Sequence, residues 1–170
     1  MKRIIALCAA AILCLTLLSA CSGDGGKDST SDRQVDLAAF AQTVLDNHEF
    51  ASFVQRVDLS DEDFGAVMLE NSFPGLAELD LEQLEVYLCM VSFNSGEFTL
   101  AQAKNAEDAA KVYEIFEARV ASMTEEGVNY PDTIELWSAH TQIVSRGNYV
   151  MLVCHEDSDA IVNEFNALFE

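Results

Sequence analysis

Leu84 to Phe93 is almost continuously apolar and rich in Val, Leu, Tyr and Phe, as expected for a strand covered on both faces. Asn94-Ser95-Gly96 follows as a tight turn. Glu97 to Lys104 then alternates Phe98, Leu100 and Gln102 against Thr99, Ala101 and Ala103, the period-two pattern of a returning strand. A hairpin with a central strand obliges the rest of the chain to supply cover. Asn105 is placed to cap the next helix, with Asp108 in its first turn and Ala109, Tyr113, Phe116, Val120 and Met123 along one face.

The same order then returns. A short helix is predicted from Asp132 to His140, a strand from Gln142 to Val144, a turn at Arg146-Gly147-Asn148 and an apolar strand from Tyr149 to Cys154. Asp157 or Ser158 caps a last helix carrying Ile161, Val162, Phe165, Leu168 and Phe169. Setting Gly96-Glu97-Phe98 over Gly147-Asn148-Tyr149 brings Asp108-Ala109 onto Asp159-Ala160, which suggests a strand-strand-helix unit used twice.

Upstream, Leu37, Phe40, Ala41, Val44 and Leu45 form a helical stripe that Phe50, Phe53, Val54 and Val57 extend. The acidic run Asp58 to Asp63 interrupts it, with Ser60 as the expected start of a short second helix through Leu69. Asn71-Ser72-Phe73-Pro74-Gly75 closes this part as a turn. The expected fold is therefore α+β: a four-stranded antiparallel sheet of two hairpins, helices packed on one face, and N-terminal helices closing the front.

The first residues do not belong to that domain. Lys2 and Arg3 precede an uncharged, mostly apolar run from Ile4 to Ala20, followed by an abrupt change to Ser, Gly and Asp, the layout of an export signal. Leu18-Ser19-Ala20-Cys21 resembles the lipobox of bacterial lipoproteins, in which the Cys thiol takes a diacylglycerol and becomes the first mature residue. A retained transmembrane helix is the competing reading, since about 18 apolar residues can just span a hydrocarbon core. Ser22 to Arg33 carries three glycines and no apolar side chain, a flexible tether reaching roughly 20 Å. The expected organisation is a signal over 1–20, the lipidated Cys21 and tether over 21–33, and one extracytoplasmic domain over 34–170.

At 170 residues the chain has room for one core, and its formal charge of −20 excludes an unassisted grip on nucleic acid. Cleavage after Ala20 removes two basic side chains and no acid, leaving seven basic against 29 acidic, a balance of −22. Such a body is repelled by anionic headgroups and stands off the bilayer on its acyl chains. Of five cysteines the mature fold keeps Cys89 and Cys154, which either pair in an oxidising compartment or remain as two buried thiols.

No pattern in the chain assigns a catalytic, metal or cofactor site. In Asp58 to Asp63 no phase satisfies a calcium loop, because Gly65 is misplaced, so the run reads as a solvated helix start. Cys154-His155-Glu156-Asp157 gathers ligand-type side chains, but consecutive strand residues point to opposite faces, and zinc would need His48 or His140 from far away. A Cys89 dyad with His140 or His155 would place the nucleophile inside an apolar strand. Trp137 reads as a half-buried aromatic on a short helix rather than a stacking platform.

Several stretches resemble a family of small lipoproteins of Gram-positive bacteria that share a domain of unknown function. They are the export signal with Cys21, Lys104-Asn105-Ala106-Glu107-Asp108-Ala109-Ala110, Phe116-Glu117-Ala118-Arg119, Tyr130-Pro131 and Gly147-Asn148-Tyr149-Val150. The resemblance covers roughly residues 34 to 170 and implies an anchored extracytoplasmic domain; it implies no reaction, cofactor or binding residue. Physically, Gly147 supplies a turn conformation, and Arg119 suits the negative end of a helix. The expected function is a non-catalytic module, anchored to the cell membrane through Cys21, that binds or scaffolds a protein, peptide or envelope component, with a basic partner favoured by the charge. The alternative is an envelope hydrolase using Glu97, Glu156 or Asp157 near the hairpin ends.

Overall fold

The computed structural model describes residues 34–51, 53–90 and 96–170. The export signal, Cys21 and the tether expected over residues 1–33 lie outside the described residues, as do Phe93 and the Asn94-Ser95 part of the first turn. No helix among the described residues is long and apolar enough to cross a membrane.

Among the described residues, five strands form one antiparallel sheet: β1 (Val54–Arg56), β2 (Leu81–Cys89), β3 (Glu97–Ala103), β4 (Thr141–Arg146) and β5 (Tyr149–Cys154), in the spatial order β1-β2-β3-β5-β4. The two expected hairpins are β2-β3, with Tyr87 opposite Phe98, and β4-β5, with Arg146 opposite Tyr149. They join through β3 and β5, where Leu100 faces Met151. The fifth strand is a departure from the four expected. Val54–Arg56 is too short to show alternation and gains its strand character only by pairing with Tyr87 to Cys89. Arg56 then grips Glu85 of β2 with two bonds, Nε to Oε2 at 2.7 Å and Nη2 to Oε1 at 3.0 Å.

The helices are α1 (Leu37–Asn47), α2 (Gly65–Ser72), α3 (Ala106–Met123), α4 (Pro131–His140) and α5 (Ser158–Ala167). They cover both faces of the sheet, not one. Phe98, Leu100, Met151 and Val153 point to α1 and α5, meeting Phe40, Val44, Ile161 and Phe165. Their neighbours Ala101, Ala103, Val150 and Leu152 point the other way, to Leu69, Val112, Phe116 and Trp137 from α2, α3 and α4. Because successive strand residues face opposite sides, the wholly buried β3 and β5 require cover above and below. The strand-strand-helix order does occur twice, yet α3 and α5 lie on opposite faces. A two-fold axis through the sheet would place both on one face, so the repeat is one of element order alone.

Local chemistry sets most boundaries. Asn105 Oδ1 accepts from the Asp108 N–H at 2.9 Å and its Nδ2 donates to Asp108 Oδ2 at 2.8 Å, closing the start of α3 as the sequence predicts. The hydrogen bond from Asn105, with Lys111 beside it, holds the Asp108 carboxyl below its ordinary range. Ser60 does not start a helix. Asp58 Oδ1 instead accepts from the Ser60 N–H and Oγ, and Asp61 Oδ1 from the N–H groups of Asp63 and Phe64, so local turns displace the helix start to Gly65. Asp157 precedes α5 but makes no side-chain cap there, its carboxylate being turned toward His48.

Hydrogen bonds tie the start of the described residues to the sheet. Val35 N–H donates to Tyr149 Oη at 3.1 Å, Leu37 N–H to Gln83 Oε1 at 3.0 Å, and Gln83 Nε2 returns to the Val35 carbonyl at 2.7 Å. At the second hairpin Gly147 has φ +58°, in the left-handed region that glycine alone enters cheaply. Gly147→Val is expected to destabilise the domain by about 1–3 kcal/mol through backbone strain. The thermal midpoint reports it, and an unchanged midpoint would refute the turn.

Candidate functional site

At one end of the sheet three connections converge. The segment after α1 brings Glu49, Phe50 and Ala51, β3 begins beside Gly96, and the β5–α5 turn supplies His155, Glu156 and Asp157. With Leu136 of α4 they line an open pocket of about 370 Å³. Gly96 is required by close approach, since a Cβ there would lie 1.9 Å from the Cys154 carbonyl oxygen. His155 joins the loops: its Nδ1 accepts from the Asp157 N–H at 3.0 Å, which leaves the hydrogen on Nε2 to donate to the Glu49 carbonyl at 3.2 Å. Its ring lies against Phe50, centroids 4.4 Å apart, and Phe50 rests on Phe98 at 5.2 Å.

Behind the pocket, the buried His48 ring stands between two carboxylates. Nδ1 is 3.4 Å from Asp157 Oδ2, and Nε2 is 3.5 Å from Glu164 Oε1, within ionic reach but not aligned as a hydrogen bond. Asn47 Nδ2 donates to the same Glu164 oxygen at 3.1 Å. Among the described residues, the pocket lining thus includes the acidic Glu49, Glu156 and Asp157 and no lysine or arginine. With Phe50 and Leu136 as apolar wall, its chemistry suits an ammonium or guanidinium group on a short aliphatic stem.

The carboxylates nominated for acid and base work do not gather here. Glu156 and Asp157 line the pocket, whereas Glu97, 1% exposed, is held on the α3 side by Arg119, Nε to Oε1 and Nη2 to Oε2, both at 2.9 Å. The Arg119 guanidinium also lies over the rings of Trp137 at 5.5 Å and Phe73 at 5.8 Å. Its part is therefore a buried ion pair rather than service to a helix end. Trp137 is fully buried, not half-buried, because this cation and the sheet enclose it.

The strand alternation expected at Cys154-His155 holds: Cys154 is buried in the core beneath α3, and His155 lines the pocket. No disulfide joins Cys154 to Cys89. Among the described residues no group of three His, Cys, Asp or Glu side chains could hold a metal ion. Burial, reinforced by the neighbouring Glu97 charge, pushes the Cys154 thiol up to about 12. Cys154 is expected to resist iodoacetamide in the folded protein at pH 8 and to react promptly in denaturant; rapid native labelling would show that the strand end opens.

Sequence reading gave Glu49 no part, placed Phe50 on the continuing apolar face of the first helix, and named His48 only as a distant zinc ligand. The available signal was the polar Asn47-His48-Glu49 that breaks the α1 stripe, but nothing local ties it to residues 155–157. Residues 56–155 match the family model described as Domain of unknown function (DUF4358). The match runs from the end of β1 to His155 and leaves α1, α5 and the Glu49-Phe50 side of the pocket outside. No curated protein and no solved structure matches the chain.

Proposed function

The chain belongs to the DUF4358 family, which carries no assigned reaction, and from its own residues we propose that it is a lipid-anchored extracytoplasmic binding module for a basic protein or peptide. The observation that carries this reading is the strand-end pocket, whose lining among the described residues includes the acidic Glu49, Glu156 and Asp157 and no lysine or arginine. A lysine or arginine side chain of a partner is the group that such a pocket selects. The charge of −22 expected after cleavage at Cys21 would steer such a partner in and make capture salt-sensitive. The tether that follows Cys21 gives the domain reach from the membrane.

Capture from detergent-solubilised membranes at low and high salt tests the binding. A partner that elutes with salt and is lost with Glu49→Gln/Glu156→Gln is the expected result; a salt-insensitive partner, or none, overturns it. The anchor is tested separately. Cys21→Ala should leave protein that no longer partitions into the detergent phase, because two acyl chains are what make anchoring stable. Wild-type partitioning of that variant would transfer the anchor to a retained signal helix.

A further inference from the structure

Away from the pocket, the described residues expose five large apolar side chains, and three of them, Leu59, Phe64 and Val67, fall within nine residues of chain. Phe64 is 56% and Val67 54% exposed, one helical turn apart at the start of α2. Phe64 holds the position preceding the helix, where a capping Ser, Thr, Asp or Asn stabilises, and makes no cap bond itself. Helix stability therefore does not account for an aromatic ring at that place, and its exposure costs solubility.

The surface around these side chains is preorganised and predominantly acidic, with Arg56, paired to Glu85, the cation near Asp58. Asp58 and Asp61 fix the loop by accepting from Ser60, Asp63 and Phe64, and Gly65 lets it fold onto the helix, since a Cβ there would lie 1.9 Å from the Asp58 carbonyl oxygen. Glu62, Asp63 and Glu70 are exposed beside the apolar pair. No lysine, arginine or histidine occurs between Arg56 and Lys104 in the sequence. An apolar centre with an acidic surround complements a helix that carries an apolar stripe flanked by Lys or Arg. A second copy of the chain is disfavoured by like charge, and an anionic bilayer by repulsion of the carboxylates.

We propose that the Leu59-Phe64-Val67 surface docks a basic amphipathic helix of a partner protein. This rests on the reading of the chain as a binder of basic partners and names a second contact, apart from the strand-end pocket.

The test uses the full lipidated chain in zwitterionic nanodiscs and a fluorescent Leu/Lys amphipathic helical peptide as probe, with empty nanodiscs as the blank. Phe64→Ser/Val67→Ser is expected to weaken binding at least tenfold with the melting curve unchanged, because both side chains are solvent-facing. A peptide of the same composition in scrambled order should bind at least tenfold more weakly than the amphipathic one. Equal binding by that variant, or by the scrambled peptide, overturns the proposal, as does a dimer of the chain in sedimentation that the same substitutions dissolve. Glu49→Gln/Glu156→Gln separates the two readings. If it alone abolishes binding, the pocket stands and this surface falls; if neither variant matters and salt has no effect, both fall.

Discussion

Arg119→Ala is expected to destabilise the domain by about 3–5 kcal/mol, because it leaves the carboxylate of Glu97 buried without a counter-charge. Glu97 is 1% exposed, and Arg119 satisfies both of its oxygens at 2.9 Å. The loss also takes a cation from between the Trp137 and Phe73 rings, a smaller effect of about 1–2 kcal/mol already contained in the measured total. Glu97→Gln/Arg119→Met separates charge from packing, since it removes both charges while keeping most of the volume. Urea denaturation of the three proteins should rank wild type and double variant well above Arg119→Ala. A loss below about 1 kcal/mol for Arg119→Ala would mean that water reaches Glu97, as at an exposed ion pair.

Phe98→Ala should cost a comparable amount, about 3–5 kcal/mol, by opening a cavity in a fully buried part of β3. The Phe98 ring stacks on Tyr87 with centroids 4.5 Å apart and planes at 10°, and also meets the Phe50 ring, tilted, at 5.2 Å. Phe50 in turn supports His155 in the pocket. The substitution is therefore expected to do two things at once: lower global stability, and raise hydrogen exchange at residues 49–51 beyond what the global change predicts. Phe98→Leu, which keeps most of the buried surface, should show a smaller form of both. If exchange at 49–51 followed global unfolding alone, the link from core to pocket would be broken.

The sequence alone determined what is decided within a few residues. The Asn105 cap, the positive φ of Gly147, the helix expected from Asp132 to His140, which begins one residue earlier at Pro131, and the span of β5 from Tyr149 to Cys154 were legible because each depends on neighbours one to four positions away. Even there, competition between local options defeated the reading at Ser60, where the side chains of Asp58 and Asp61 captured backbone donors ahead of the helix. The anchoring expected of Cys21 is likewise a sequence reading, from a segment outside the described residues.

Tertiary structure decided the rest, because those features are pairings between distant parts of the chain. β1 exists through its ladder with β2, and three residues cannot advertise that partner. The apolar run of β2 reads as a strand covered on both faces, yet the helices were expected on one; that α1 and α5 take one face and α2, α3 and α4 the other is decided by packing. The Glu97–Arg119 pair joins a strand to a helix, and the pocket joins residues near 50, 96, 136 and 156. Local patterning carries periodicity and turn chemistry, whereas the choice among distant partners is made by how the buried faces fit and which charges are stranded without one another.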